Sequence, residues 1–139
     1  MPDLAARLRL AIARTARRLR QETGSELSPS LSSALATVER HGPLTPSELA
    51  ERERVQRPTA TRLVARLEED GLVTRTADPS DGRSFLVAVT GEGRALLARM
   101  RRRKDAYLAE RLKRLDPSER ATLAEAAAIL ERLLEEGGR

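Results

Sequence analysis

The apolar residues of this chain change period twice, at Gly71 and at Thr90, and no other feature limits the fold as much. Before Gly71 they recur at three- and four-residue steps, the repeat of amphipathic helices. The first set is Leu4, Leu8, Ile12, Ala16 and Leu19, the next Leu31, Leu35 and Val38, and the last Ala60, Leu63, Val64 and Leu67. Leu72 to Thr76 reads as a strand, and Phe85, Val87 and Val89 alternate on a return strand. After Thr90 the helical step returns and carries Leu123, Ala126, Ala127, Leu130, Leu133 and Leu134. A chain ordered this way is a mainly α fold with a small β-wing.

The stop and start signals agree with the periods. Ser28-Pro29, Thr45-Pro46-Ser47-Glu48 and Asp116-Pro117-Ser118-Glu119 each set a capping side chain before a proline whose missing N–H costs a first turn nothing. His41-Gly42-Pro43 stops one helix and Gly71 another. These signals predict helices over 3–22, 29–41, 46–53 and 57–70, one from Thr90 to about 114, and a last one from 117. Arg54-Val55-Gln56 breaks the chain between two of them, and Asp78-Pro79-Ser80-Asp81-Gly82 is a turn cluster at the tip of the hairpin.

Composition then narrows the function. At 139 residues the chain is one domain, 1–139. It carries a net charge of +5 and a pI near 10.8, almost all of the positive charge being arginine, since Lys104 and Lys113 are the only lysines. A basic balance points to an anionic partner. Cysteine is absent, which excludes disulfides, thiolate metal sites and thiol redox sensing. His41 is the single histidine, and no Gly-rich phosphate loop, nucleophile–base pair or ligand cluster occurs, so neither an enzyme nor a metal or other cofactor is expected. No apolar run approaches the ~18 residues of a membrane span, and the arginine-studded N-terminus is unlike a signal peptide. The expected setting is the cytoplasm. With Phe85 and Tyr107 the only aromatic residues, a monomer's core would be thin, and much apolar surface would be buried against a second copy.

The order short helix, turn, amphipathic helix, hairpin is that of a winged helix-turn-helix, and the residues fit its physics. With Ala60, Leu63, Val64 and Leu67 inward, the face of the second helix left for a DNA groove holds Pro58, Arg62, Ala65, Arg66 and Glu69, flanked by Thr59 and Thr61. Arg62 and Arg66, one turn apart, reach guanine edges or phosphates, and the two threonines are short enough for a phosphate or a thymine methyl. Arg57 and the first amides of this helix suit phosphate, and Ser47, in the first turn of the short helix, is counted with them. At the hairpin tip Arg83 is placed to enter a minor groove, with Asp81 near enough to hold its guanidinium, while Arg75 on the first strand adds a phosphate contact.

The segment TRLVARLEEDGLVTR followed by DPSDGRSFLVAVTGEG resembles the DNA-binding domain of the MarR family. The resemblance is strong over about 30–98 and rests on the recognition helix, the Gly-Leu-Val step into the wing and the Asp-x-Arg wing tip, all in register. It implies about six helices, a two- or three-stranded wing, and a homodimer joined through N- and C-terminal helices, here 3–22 and 99–136. Two recognition helices would then read a pseudo-palindrome with half-sites ~10 bp apart. Family members usually repress nearby genes, and many release DNA when a small anion binds between the dimer helices and the DNA-binding lobe. One departure is Gln56, where the family often has a serine that caps the recognition helix; such a cap contributes ~1 kcal/mol. Two other readings compete: an architectural protein that binds DNA with little sequence preference, and an interaction module that has lost DNA binding. The arginines at 57, 62 and 66 speak against the second.

Overall fold

The computed structural model describes residues 1–24 and 26–137. The described elements are α1 (Pro2–Thr23), α2 (Pro29–His41), α3 (Pro46–Glu53), α4 (Arg57–Glu69), β1 (Val73–Asp78), β2 (Asp81–Val89), α5 (Gly91–Leu112) and α6 (Pro117–Gly137). The chain is thus mainly helical with a small antiparallel wing, the expected winged helix-turn-helix order. The strands run further than the alternation indicates. β1 reaches Asp78 and β2 begins at Asp81, so Pro79 and Ser80 alone connect them, with a register shift at Ala77/Asp78. A third strand is reduced to one bridge, in which Leu44 and Val87 exchange backbone hydrogen bonds at 3.1 and 2.7 Å.

Four of the six described helices start at a side-chain cap. Ser28 accepts the Leu31 amide at 3.2 Å, Thr45 that of Glu48 at 3.1 Å, and Thr90 that of Gly93 at 3.1 Å. Asp116 and Glu119 close a reciprocal capping box, each carboxylate accepting the other's backbone N–H at 2.9 and 3.2 Å. α4 ends in a Schellman motif: Gly71 takes a left-handed φ of 75°, its amide reaches Glu68 O, and the Leu72 amide reaches Leu67 O. α3 ends the same way, but with an arginine in the left-handed position. Arg54 has φ 56°, and the Val55 amide bonds Ala50 O at 3.0 Å, which tucks Val55 against the core.

One core holds α2, α3, α4, the wing root and the first half of α5 together. Ala34, Leu35, Leu49, Ala60, Val64, Leu67 and Val87 are fully buried in it, joined by Leu96, Leu97 and Met100 of α5. Leu31 and Leu63, both expected to face inward, are half-buried at its edge. The terminal helices differ. No described residue of α1 or α6 is buried, and Leu4, Leu8, Ile12, Leu123, Ile129, Leu133 and Leu134 are exposed. The basic run from Arg99 to Lys104 in α5 is salt-bridged, as its position suggests: Arg99 and Arg103 both hold Glu26, and Arg101 holds Glu39 at 2.9 Å.

Candidate nucleic-acid interface

The recognition helix is α4. Its start is fixed by backbone alone: the Gln56 side chain makes no capping bond, and Pro58 in the first turn presets φ in its place. Burying Ala60, Val64 and Leu67 turns the other side outward, and Arg57, Pro58, Thr61, Arg62, Ala65, Arg66 and Glu69 are all exposed. That is the face expected from the period. Three of its polar side chains are held by neighbours on the same helix or at its C-cap. Thr61 donates to Arg57 O at 3.0 Å, Arg62 donates to the half-buried Thr59 hydroxyl at 3.3 Å, and Arg66 pairs with Asp70 at 3.4 Å. Such i, i+3 and i, i+4 contacts are weak in water and give way to a better acceptor. Ser47 is exposed in the first turn of α3.

α3 is fixed to the layer behind it by a carboxylate. Glu53, its last residue, accepts from Ser33 at 2.8 Å and Thr37 at 2.8 Å on α2. The turn that aims α4 is therefore anchored at its origin. Sequence reasoning missed Glu53, because its partners lie 20 and 16 residues away and no local pattern marks them.

The wing is tied to α4 by residues from both sides. Arg75 on β1 places Nε 2.8 Å from Glu68 on α4, and its guanidinium lies 4.3 Å above the Phe85 ring on β2. Arg75 is expected on phosphate; in the free protein it is engaged on two sides. Glu68, its partner, was also missed. At the wing root Thr90 donates to Gly71 O at 2.7 Å while capping α5, so one hydroxyl clamps the end of α4 to the start of α5.

The tip departs from expectation. Asp81 does not hold the Arg83 guanidinium; its carboxylate accepts the Arg83 backbone N–H at 3.0 Å. A carboxylate two residues ahead reaches the amide with less loss of side-chain freedom than a long guanidinium would suffer. Arg83 is therefore left exposed on a shaped turn. Asp78 shapes the other side, accepting from the Ser80 amide and hydroxyl at 3.0 and 2.8 Å, and these bonds hold its carboxyl below the ordinary value.

These features have counterparts in known proteins. Residues 27–85 match the model of the MarR family. An HTH-type transcriptional regulator of Mycobacterium tuberculosis is 43% identical over 134 residues, 96% of this chain and 94% of that protein. The chain belongs to the MarR family. It is a DNA-binding transcriptional regulator and not an enzyme. Among solved structures, a transcriptional regulator protein of Pseudomonas aeruginosa, described as putative, is similar at a TM-score of 0.85 and 37% identity, covering 95% of this chain and 94% of its own. FabT of Streptococcus pneumoniae, solved in complex with DNA, shares the fold at a TM-score of 0.71 and 19% identity over 97% of each chain. No described helix of this MarR-family chain is long and apolar enough to cross a membrane, and no described cluster of acidic or histidine side chains could hold a metal ion.

Proposed function

We propose that this regulator is a cytoplasmic repressor that binds a pseudo-palindromic operator as a homodimer. The observation that carries this reading is the outward face of α4, where Arg57, Arg62 and Arg66 stand exposed on a helix braced to the wing through Glu68 and Arg75. In the major groove Arg62 and Arg66 read base edges, while Pro58, Thr59 and Thr61 set how closely the helix approaches. Ser47, Arg57 and Arg75 bind phosphate. Arg83 enters the adjacent minor groove, and Asp81 contributes by shaping the turn that presents it. The DNA-binding lobe is 30–98, and 3–22 with 99–136 form the dimer.

A homodimer is supported by the apolar side chains that α1 and α6 expose, which a lone subunit leaves in water. A small-molecule effector acts at the joint between the lobe and α5. A cavity of about 470 Å³ lies there, lined by Glu26, Leu27, Asp70, Leu72, Glu92, Leu96 and Arg99. Such an effector works only through unequal affinity for the DNA-competent and released arrangements.

The test is fluorescence anisotropy with the DNA flanking the protein's own gene, against scrambled DNA, over a salt series. Binding to one site ~10³-fold tighter than to scrambled DNA is expected. Equal, steeply salt-dependent affinity for both would favour an architectural protein of low sequence preference instead.

A further inference from the structure

The recognition helix ends on three carboxylates in a row, Glu68, Glu69 and Asp70, and the fold engages the outer two. Glu68 takes the Arg75 guanidinium at 2.8 Å, and Asp70 pairs with Arg66 at 3.4 Å. Glu69 between them is exposed, and among the described residues its side chain makes no hydrogen bond or ion pair. Its place is unfavourable for the helix itself. Glu69 is the last residue of α4, where the unpaired carbonyls of a helix end repel a negative side chain. A residue that works against its own helix and holds no partner is not explained by folding, and such local conflicts belong to surfaces that do something else.

Glu69 follows Arg62, Ala65 and Arg66 at helical spacing and continues the outward strip of α4 that carries the two arginines. Ala65, one turn before it, is exposed and too short to screen it from a groove. What a carboxylate can meet on a duplex is narrow. Phosphates repel it. In the major groove guanine N7 and O6, adenine N7 and thymine O4 are acceptors and offer it no proton. Two amines donate, adenine N6 and cytosine N4; adenine sets its N7 acceptor beside the amine, whereas cytosine presents the amine alone.

We propose that Glu69 is a specificity-determining residue, accepting a hydrogen bond from the N4 amine of one cytosine in each half-site and rejecting DNA that sets a phosphate or an acceptor edge in its place. This rests on the operator-binding reading above and adds a residue and the base it selects. Arg62 and Arg66 are drawn to any duplex, because phosphates and guanine edges both suit a guanidinium. A carboxylate on the same strip is drawn to very little of it. Glu69 therefore separates sites more by what it refuses than by what it binds.

The experiment compares full-length wild type with Glu69→Ala and Glu69→Gln, first by binding selection over randomised DNA and then by anisotropy on the selected site and on scrambled DNA. Thermal melting checks the fold, and neither variant should melt below wild type, since an exposed side chain without a partner is all that changes. Wild type is expected to select cytosine at one position of each half-site and to lose at least about fivefold in affinity when that cytosine is replaced. Glu69→Ala should lose the preference at that position and bind scrambled DNA at least about twofold more tightly. Glu69→Gln should move the preference to adenine, whose N6 and N7 suit an amide. Selections that return the same bases for all three proteins, or variants that gain equally on the selected site and on scrambled DNA, would overturn Glu69 as a reader while leaving operator binding intact. A wild type that selects no sequence would overturn the operator reading itself, and the role of Glu69 with it.

Discussion

Arg75 Nε sits 2.8 Å from a carboxylate oxygen of Glu68, joining the first strand of the wing to the last turn of the recognition helix. The pair is more than a third exposed on both sides, so its contribution to stability is small. Its importance is geometric: it ties the wing to α4, and on the proposed reading so sets how the two meet one duplex. Glu68→Gln is expected to change unfolding free energy by less than about 1 kcal/mol. It should also lower the ratio of operator to scrambled-DNA affinity, because a freed Arg75 binds any phosphate. Anisotropy with both DNAs measures this, and an unchanged ratio means the pair orients nothing.

Arg83 is the cleanest probe of the wing, since its side chain is exposed beyond a turn fixed by its own backbone. Arg83→Ala should leave the melting temperature where it is, weaken operator binding, and reduce the salt slope by about one. A full slope with full affinity would remove the tip from the interface.

Arg62 and Arg66 should behave differently from Arg57. Replacing either with alanine is expected to cost about 1–3 kcal/mol on the operator and to relax preference at one base position. Arg57→Ala should weaken operator and scrambled DNA alike. Binding selections over randomised operators separate base reading from phosphate contact.

Gly93 should be a poorly replaceable glycine. An added Cβ would stand 2.3 Å from Leu72 O and 2.8 Å from Val89 Cγ2, so alanine there must push the wing root off α5. A loss of about 2–3 kcal/mol is expected by urea unfolding. Gly91→Ala, with nothing within 4 Å of the new methyl, is the control and should be neutral or slightly stabilising.

Asp116 predicts an acid effect at the start of α6. Hydrogen bonds from Ser118 and the Glu119 amide hold its carboxyl below 3.8, its ordinary value. A carboxyl lowered in the folded state stabilises above its unfolded value, and the stabilisation is lost as pH falls through the lower, folded one. Fraying of the first turn of α6 should therefore appear only below about pH 3.8. Carboxyl NMR titration should place the Asp116 midpoint under that value; a midpoint at or above it would mean the cap is absent in solution.

Much of this could be read from residue order. The helices begin at the side chains that announce them, Ser28, Thr45, Thr90 and Asp116, because a cap acts on amides two or three residues away. Gly71 ends α4 because its left-handed φ favours a residue without Cβ. The outward arginines of α4 followed from the inward apolar set, since one period fixes both faces. The left-handed Arg54 did not follow: nothing local marks an arginine for that conformation, and the pull comes from burying Val55.

By itself, then, the sequence determined the elements, their order, the exposed face of α4 and the polar tip of the wing, because these depend on periods and contacts within a few residues. The tertiary structure alone decided that Glu53 anchors α3 to α2, that Glu68 engages Arg75, that Thr90 clamps Gly71, and that Asp81 holds a backbone amide instead of a guanidinium. In the first three the partners are distant in the chain or on different elements, and only packing of the core brings them within hydrogen-bond reach; at Asp81 the folded turn chose between two donors of one residue.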